Sequence, residues 1–473
     1  MPSPSSESTG SVQSTTPHAA ALREAVHAGL PAAIAELSRL VRIPSVAFDG
    51  FDADEVRRSA DAIAEMVRET GLFESVEVTS SAEPSGRPGK PAVLATRAAR
   101  AGAPTVLLYA HHDVQPPGDP ELWDSAPYEP TVRGERIYGR GVADDKAGIV
   151  SHLAAIRALA DVRGGEPDLG ITLFFEGEEE WGSRSFEAFL TDHEDALRAD
   201  AIVVADSGNW STTVPALTVA LRGNATVNVT VSTLEHASHS GMFGGAVPDA
   251  MLAAVRLLGT LWDEEGSVVV EGLAVRDAPT PEYGDAQLRE ETGLLEGVGP
   301  IGRGSILSRL WNRPSITITG IDAPSIRNAS NTLQPSVRFK LSMRVAPGQS
   351  AADAYGALER HLRGHAPFGA RVEFSDVDLG DPFLVDTGGP AVADALATME
   401  EAWGTAPVLM GIGGSIPFIS ALVARFPDAE ILVTGVEDPD SRAHSPNESV
   451  HVGALHRAML AEALLLARLD ARR

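Results

Sequence analysis

The sequence predicts an α/β domain interrupted by a smaller inserted α+β domain. Three observations predict it. Short apolar runs alternate with helical segments over the first two hundred or so residues, the texture of an α/β sheet. That texture stops near Leu217 and returns after Pro382. Polar residues cluster just beyond the apolar runs, where open α/β sheets place their sites.

Residues 1–17 are rich in Ser, Thr and Pro and are expected to form a disordered lead. AALREAVHAGLPAAIAELSRLVRI carries apolar residues at roughly helical spacing, and ADEVRRSADAIAEMVRET reads as an amphipathic helix over residues 53–70. The apolar run 106–109 leads into His111 and Asp113. Residues 146–159 read as a helix. The run 171–175 leads into Glu176, Glu178, Glu179 and Glu180, and the run 201–205 ends at Asp206. From Leu217 the strand-like ALTVALRG and ATVNVTVS, the helical PDAMLAAVRLLGTLWDEEG, the strands PSITITGI and SVRFKLSMRV, and the helical AADAYGALERHLRGH form the insertion. AVADALATMEEAW and EILVTGV then resume the helix and strand alternation. This gives residues 18–216 with 380–473 for the α/β domain and 217–379 for the insertion.

The composition excludes several function classes. Asp and Glu number 65 against 38 Lys and Arg, a formal charge of -27, and such a surface repels nucleic-acid phosphates. With no Cys there is no disulfide framework, thiolate metal site or thiol nucleophile. The N-terminus lacks the basic start and apolar core of a signal peptide, and no apolar stretch is long enough to span a bilayer. The chain reads as a soluble cytoplasmic protein with neither membrane nor nucleic-acid partner.

Five segments carry the chemistry. His111-His112-Asp113 follows a strand; an imidazole ligates zinc and similar metals, and an Asp two residues on is placed to orient it. In Gly139-Arg140-Gly141-Val142-Ala143-Asp144-Asp145-Lys146 the glycines permit a tight turn before a helix. Either aspartate there suits an N-cap, and Asp144 also suits a place between two cations. Glu176-Gly177-Glu178-Glu179-Glu180 packs four acids into five positions; a solvated charge run is one reading and bound metal the other, since like charges in one site need an offsetting cation. Adjacent acids divide the labour when one ligates and the other moves a proton. Asp206 and His444 each lie near the end of a strand. Together the set offers two imidazoles and three carboxylates, enough for two divalent ions.

These segments resemble the M20 family of metallopeptidases, especially its dipeptidase branch with the carnosine dipeptidases. His111-His112-Asp113-Val114-Gln115-Pro116, Trp123 with Pro127 and Tyr128, Gly139 to Lys146, Glu179-Glu180 before Gly182-Ser183, His239-Ser240-Gly241 with Phe243-Gly244-Gly245, Gly413-Gly414-Ser415-Ile416-Pro417, and His444-Ser445 with Asn447-Glu448 occur in the family's order over roughly residues 25–465. The resemblance implies a catalytic domain with a mixed sheet flanked by helices, and an inserted α+β domain serving as lid and dimerisation surface of a homodimer. It implies that Asp144 bridges two divalent ions, Zn or Mn with Co as a further option. His111 and Asp206 complete one metal site, and Glu180 and His444 the other. Asp113 orients His111, and Glu179 is the general base and then acid. The Asp144–Asp145 peptide bond is cis in several relatives.

Further roles follow from the same resemblance. His239 stabilises the oxyanion, in dimeric relatives from the partner subunit; a loop or capping histidine is the plainer reading. Arg344 takes the substrate's terminal carboxylate, unless it is an ordinary strand arginine paired with an acid. Ser415 contacts the same carboxylate, and Thr332 lies where some relatives carry Asn. Asp rather than Glu at position 206 favours dipeptidases and carboxypeptidases within the family. The expected substrate is therefore a dipeptide or very short peptide; the alternative is an N-acyl or N-carbamoyl amino acid on the same metal site.

Overall fold

The computed structural model describes residues 16–100, 102–413 and 417–472. Ser415 and all but the last two residues of the predicted lead lie outside them. Thr16 is buried, donating to Glu401 at 2.7 Å and accepting from Arg468 at 2.8 Å. The chain forms two compact units: Met1–Pro215 with Gly388–Pro407 and Asp428–Arg473, and Ala216–Thr387 with Val408–Pro427.

The first unit is built on a mixed sheet. Its strands run in the order Ser75–Thr79, Ala92–Arg97, Gly170–Glu176, Thr105–His111, Ala201–Val204 and Glu430–Val433. The last four are mutually parallel, and the first two add antiparallel. Gly170–Glu176 and Ala201–Val204 are buried throughout, and Thr105–His111 is buried beyond its first residue, as parallel strands covered on both faces must be. This explains why the sequence shows apolar runs here rather than alternation. In register His111 stands opposite Glu176, and Tyr109 opposite both Phe174 and Val204. Three strand ends therefore finish level with one another.

Helices Ala19–Val41, Lys146–Arg163 and Val452–Asp470 pack together, while Ala53–Glu69 lies against the antiparallel strands. Lys146–Arg163 outlasts its sequence expectation by a turn and stops at Gly164, whose φ of 68° lets its N–H reach back to the carbonyls of Ala160 and Asp161. At its start Asp145 is the N-cap, accepting from the Gly148 N–H at 3.2 Å. A Cβ on Gly148 would collide with that carboxylate, so the glycine is required.

The inserted unit holds an antiparallel sheet in the order Ser315–Asp322, Ser336–Val345, Gly223–Ser232, Arg371–Gly380. Its two central strands alternate strictly between buried and less buried positions. Val227, Val229, Val231, Phe339, Leu341 and Met343 face helices Ala250–Leu258 and Ala351–Gly364 and form the core with Leu257 and Leu358. Each such side chain contributes roughly 1.5–3 kcal/mol by leaving water. The first helix is shorter than its apolar pattern, ending before Gly259 and Thr260. Strand Ala216–Leu221 pairs in parallel with Val408–Ile412 and antiparallel with Phe383–Leu384.

Candidate metal centre

The level strand ends of the first unit deliver the predicted ligands. Thr105–His111 ends on His111, and the chain turns at Asp113. Gly170–Glu176 leads into the short helix Glu179–Trp181, and Ala201–Val204 into Asp206. Two trios of potential ligands result. His111, Glu179 and Asp206 present one ligand atom each within 4.8 Å of one another, as do Asp144, Glu180 and His444. Asp144 joins the trios: Oδ1 lies 3.0 Å from His111 Nε2, and Oδ2 2.9 Å from His444 Nε2. His444 Nε2 is also 3.2 Å from Glu180 Oε2. Glu179 thus falls beside His111 and Asp206, and Asp144 spans both groups.

Asp113 organises the turn. It is fully buried, with one oxygen 3.5 Å from His111 Nδ1. The same carboxylate accepts the backbone N–H of Glu179 at 3.0 Å and of Glu180 at 3.1 Å. The Asp113 backbone carbonyl lies nearer still, 3.1 Å from His111 Nδ1, so one residue holds an imidazole and the paired glutamates in a fixed relation. The Asp144–Asp145 peptide bond is cis. His112 turns the other way; its Nε2 donates to the Pro91 carbonyl at 2.9 Å, and burial lowers its pKa to about 3, so it is neutral. Of the four clustered acids, Glu176 accepts from the Tyr109 hydroxyl at 2.7 Å, and Glu178 accepts from the Ser185 N–H and hydroxyl at 2.6 Å each. These two brace the turn, while Glu179 and Glu180 face the centre.

Three residues that the sequence reading gave no site role complete the frame. Gln115 donates to both Glu180 oxygens, from its N–H at 3.1 Å and its amide at 2.7 Å. Buried Glu448 accepts from Arg140 at 2.7 Å and from the N–H groups of Gly141, Ala143 and Asp144, binding the His444 loop to the loop of Asp144. Lys146 Nζ donates to the carbonyls of Leu40 and Ile43 at 2.9 and 2.7 Å, at the C-terminal end of the first helix. All three lie in the motif segments quoted above, which was the available signal. His444 itself sits at φ 63° in a loop anchored by Arg136 on Asp438, by Asn447 on Asp124 and Leu122, and by Glu448.

The electrostatics call for cations. Burial, helped by Glu180, Asp113 and Asp144 and opposed by His111, pushes Glu179 up to about 8. Burial and the charge of Glu179 push Asp206 well up. Against burial, hydrogen bonds from His111 and His444 hold Asp144 below the usual carboxylate range, and its bond with Asp144 and that with Glu180 raise His444 to about 10. Imidazoles and carboxylates in this ratio suit a divalent ion in each trio, so the donor set fits two metals. Beneath the strand end, His152 bonds Glu462 at 2.6 Å and the Tyr109 carbonyl at 3.0 Å. Burial opposes its charge, yet Glu462 raises its pKa.

The remaining predicted residues belong to the inserted unit. His239 and Thr332 face each other across a two-residue ladder. His239 caps the short helix Ser240–Phe243, its Nδ1 accepting from the Gly241 N–H at 3.0 Å. Arg344 lies on Ser336–Val345, between Ser315 and Asn224 in register.

Comparison with known proteins agrees with this architecture. The profile of Peptidase family M20/M25/M40 matches residues 107–468. A cysteinylglycine-S-conjugate dipeptidase of Corynebacterium striatum is 37% identical over 372 residues, covering 77% of this chain and 81% of that protein. A Beta-Ala-His dipeptidase of Mus musculus is 29% identical over 410 residues, covering 82% of each. The crystal structure of human carnosine dipeptidase 1 shares the fold, with TM-score 0.74 and 23% identity over 96% of this chain and all of that one (100%). The fold and the two trios define a metal-dependent hydrolase. The chain belongs to the M20 peptidase family, in its dipeptidase branch, related to the carnosine and Cys-Gly dipeptidases.

Proposed function

We propose that this chain is a dipeptidase that cleaves the peptide bond of dipeptides or very short peptides, using two divalent ions, Zn or Mn with Co as a further option. The observation that carries the reading is the pair of trios joined through Asp144, with Glu179 beside them. His111 and Asp206 would hold one ion, Glu180 and His444 the other, and Asp144 would serve both. Ions bound there supply Lewis-acid polarisation of a carbonyl and lower the pKa of water. The chain's own groups do the rest. The Glu179 carboxylate takes a proton from the attacking water and delivers it to the departing amine. Asp113 keeps His111 and the Glu179 turn in place.

His239 uses Nδ1 as an acceptor for Gly241, so its neutral ring carries the proton on Nε2, the donor an oxyanion needs. Arg344 offers a planar fork to the terminal carboxylate, accompanied by Thr332 and Ser415. A clamp on that carboxylate confines substrates to short peptides. The dipeptidase names of the relatives compared above support the same reading. The inserted domain 217–379 acts as lid and dimerisation surface of a cytoplasmic homodimer.

The test is hydrolysis by metal-stripped protein with Zn, Mn or Co added back. The panel holds cysteinylglycine, an S-substituted cysteinylglycine, β-Ala-His, a tripeptide, and N-acetyl and N-carbamoyl amino acids. Metal-dependent cleavage of free dipeptides, lost in Glu179→Gln, is the expected result. Cleavage confined to the acylated or carbamoylated compounds overturns the substrate assignment.

A further inference from the structure

Arg222 stands between strands Ala216–Leu221 and Gly223–Ser232 and is only 7% exposed. Among the described residues its guanidinium has no acid as a partner. Nε donates to the Gly413 carbonyl at 3.2 Å, and Nη1 to the Ser315 hydroxyl at 3.1 Å and to the carbonyls of Arg309 and Arg313 at 3.4 Å each. The acceptors of Nε and Nη1 are all neutral and leave the charge uncompensated, a costly arrangement for a buried cation.

Ser315 is the register partner of Arg344, and cross-strand partners project from the same sheet face. Arg222 therefore reaches the face that carries Arg344. No carboxylate pairs with Arg344 among the described residues. Burial, and then the charge of Arg344, lowers the pKa of Arg222 to about 10. Gly413 is packed close as well, since a Cβ there would stand 3.1 Å from Arg222 Nη2. Two guanidiniums without an acid make a local positive potential that an incoming carboxylate relieves.

We infer that Arg222 is a positioning residue for carboxylate recognition: it offers Arg344 no acid to pair with and fixes the carbonyls of Gly413 and of the 309–313 segment beside the Arg344 face, so that Arg344 stays available for the terminal carboxylate of the peptide. This rests on the reading above that Arg344 receives that carboxylate. Arg222 itself need not touch the substrate. Its planar fork spans the acceptors on Ser315, Gly413 and the 309–313 segment together, which a lysine ammonium does less well.

The experiment uses the full metal-loaded chain and a matched pair of substrates, a free dipeptide and its C-terminal amide. In Arg222→Gln the KM for the free acid rises about tenfold with kcat nearly unchanged, while the KM for the amide stays where it was. Arg222→Lys recovers part of the loss, and Ser315→Ala shifts the acid KM in the same direction by less. Melting temperature and bound metal, followed in parallel, stay near those of the parent. Should Arg222→Gln fail to fold, Ser315→Ala and Arg222→Lys decide by the same ratio of acid to amide. Folded, metal-loaded variants that keep the parent's preference for the acid overturn the inference alone, as does an equal loss on both substrates. A parent protein indifferent to the amide overturns the Arg344 reading and the inference with it.

Discussion

At the strand ends of the first unit, Asp113, Asp144, Glu179, Glu180 and Asp206 converge on two imidazoles, and acids outnumber bases. On the inserted unit's sheet the imbalance is reversed: Arg222 and Arg344 share a face with no acid paired to either among the described residues. The first region is short of cations and the second of an anion. Each imbalance matches the charge of what the proposed function assigns to the region, two divalent ions in one case and a carboxylate in the other. The regions also differ in how they are held. The acids are braced by side chains such as Asp113, Gln115 and Glu448, whereas the guanidinium of Arg222 is braced by backbone carbonyls and one hydroxyl.

The sharpest way to break the comparison is Glu179→Gln. Removing the proton carrier alone is expected to cost about 10²–10⁴-fold in kcat while both ions stay bound, checked by steady-state kinetics beside elemental analysis. Loss of metal together with activity would make Glu179 a ligand rather than a proton carrier. His239→Gln probes the other region; the expected loss is about a hundredfold in kcat with metal affinity untouched, read by kinetics and by calorimetric titration of the metal. Asp113→Ala should weaken metal binding by roughly 10–100-fold, measured by competition with a chelator, since the residue acts through His111 and the Glu179 turn.

The smallest effect concerns His152. Its raised pKa means that the folded state holds its proton more tightly than the unfolded state does. The stability from the His152–Glu462 pair is complete below about pH 6.5, the ordinary histidine value, and is lost as pH rises through the folded pKa. Melting temperatures of the metal-loaded protein from about pH 6 to pH 9 should show this decline, and His152→Gln should flatten it.

Legibility follows the same division. In the first unit the predicted ligands stand at or just after strands buried almost throughout, so apolar runs ending in His111, Glu176 or Asp206 marked both the sheet and the candidate site. The alternating core of the inserted sheet was equally readable from Val227, Val229 and Val231. What the chain could not reveal was the division of labour inside a motif. Glu176 and Glu178 look like Glu179 and Glu180 on paper, and only the partners Tyr109 and Ser185 separate bracing acids from those facing the centre. Arg222 was invisible for a related reason. Its acceptors lie at positions 309, 313, 315 and 413, and no spacing rule links residues so distant.

The carboxylate of Glu448 stitches the last ligand loop to the loop of Asp144, and His444 is the only imidazole in the second trio. Translation reaches His444 on the order of tens of seconds after Glu180, at ~5–20 residues per second. Until then a nascent chain carries Asp144 and Glu180 without the nitrogen that completes their trio. The second trio closes only once that loop is made, so a chain cut short before it retains most of the acids but never assembles the pair.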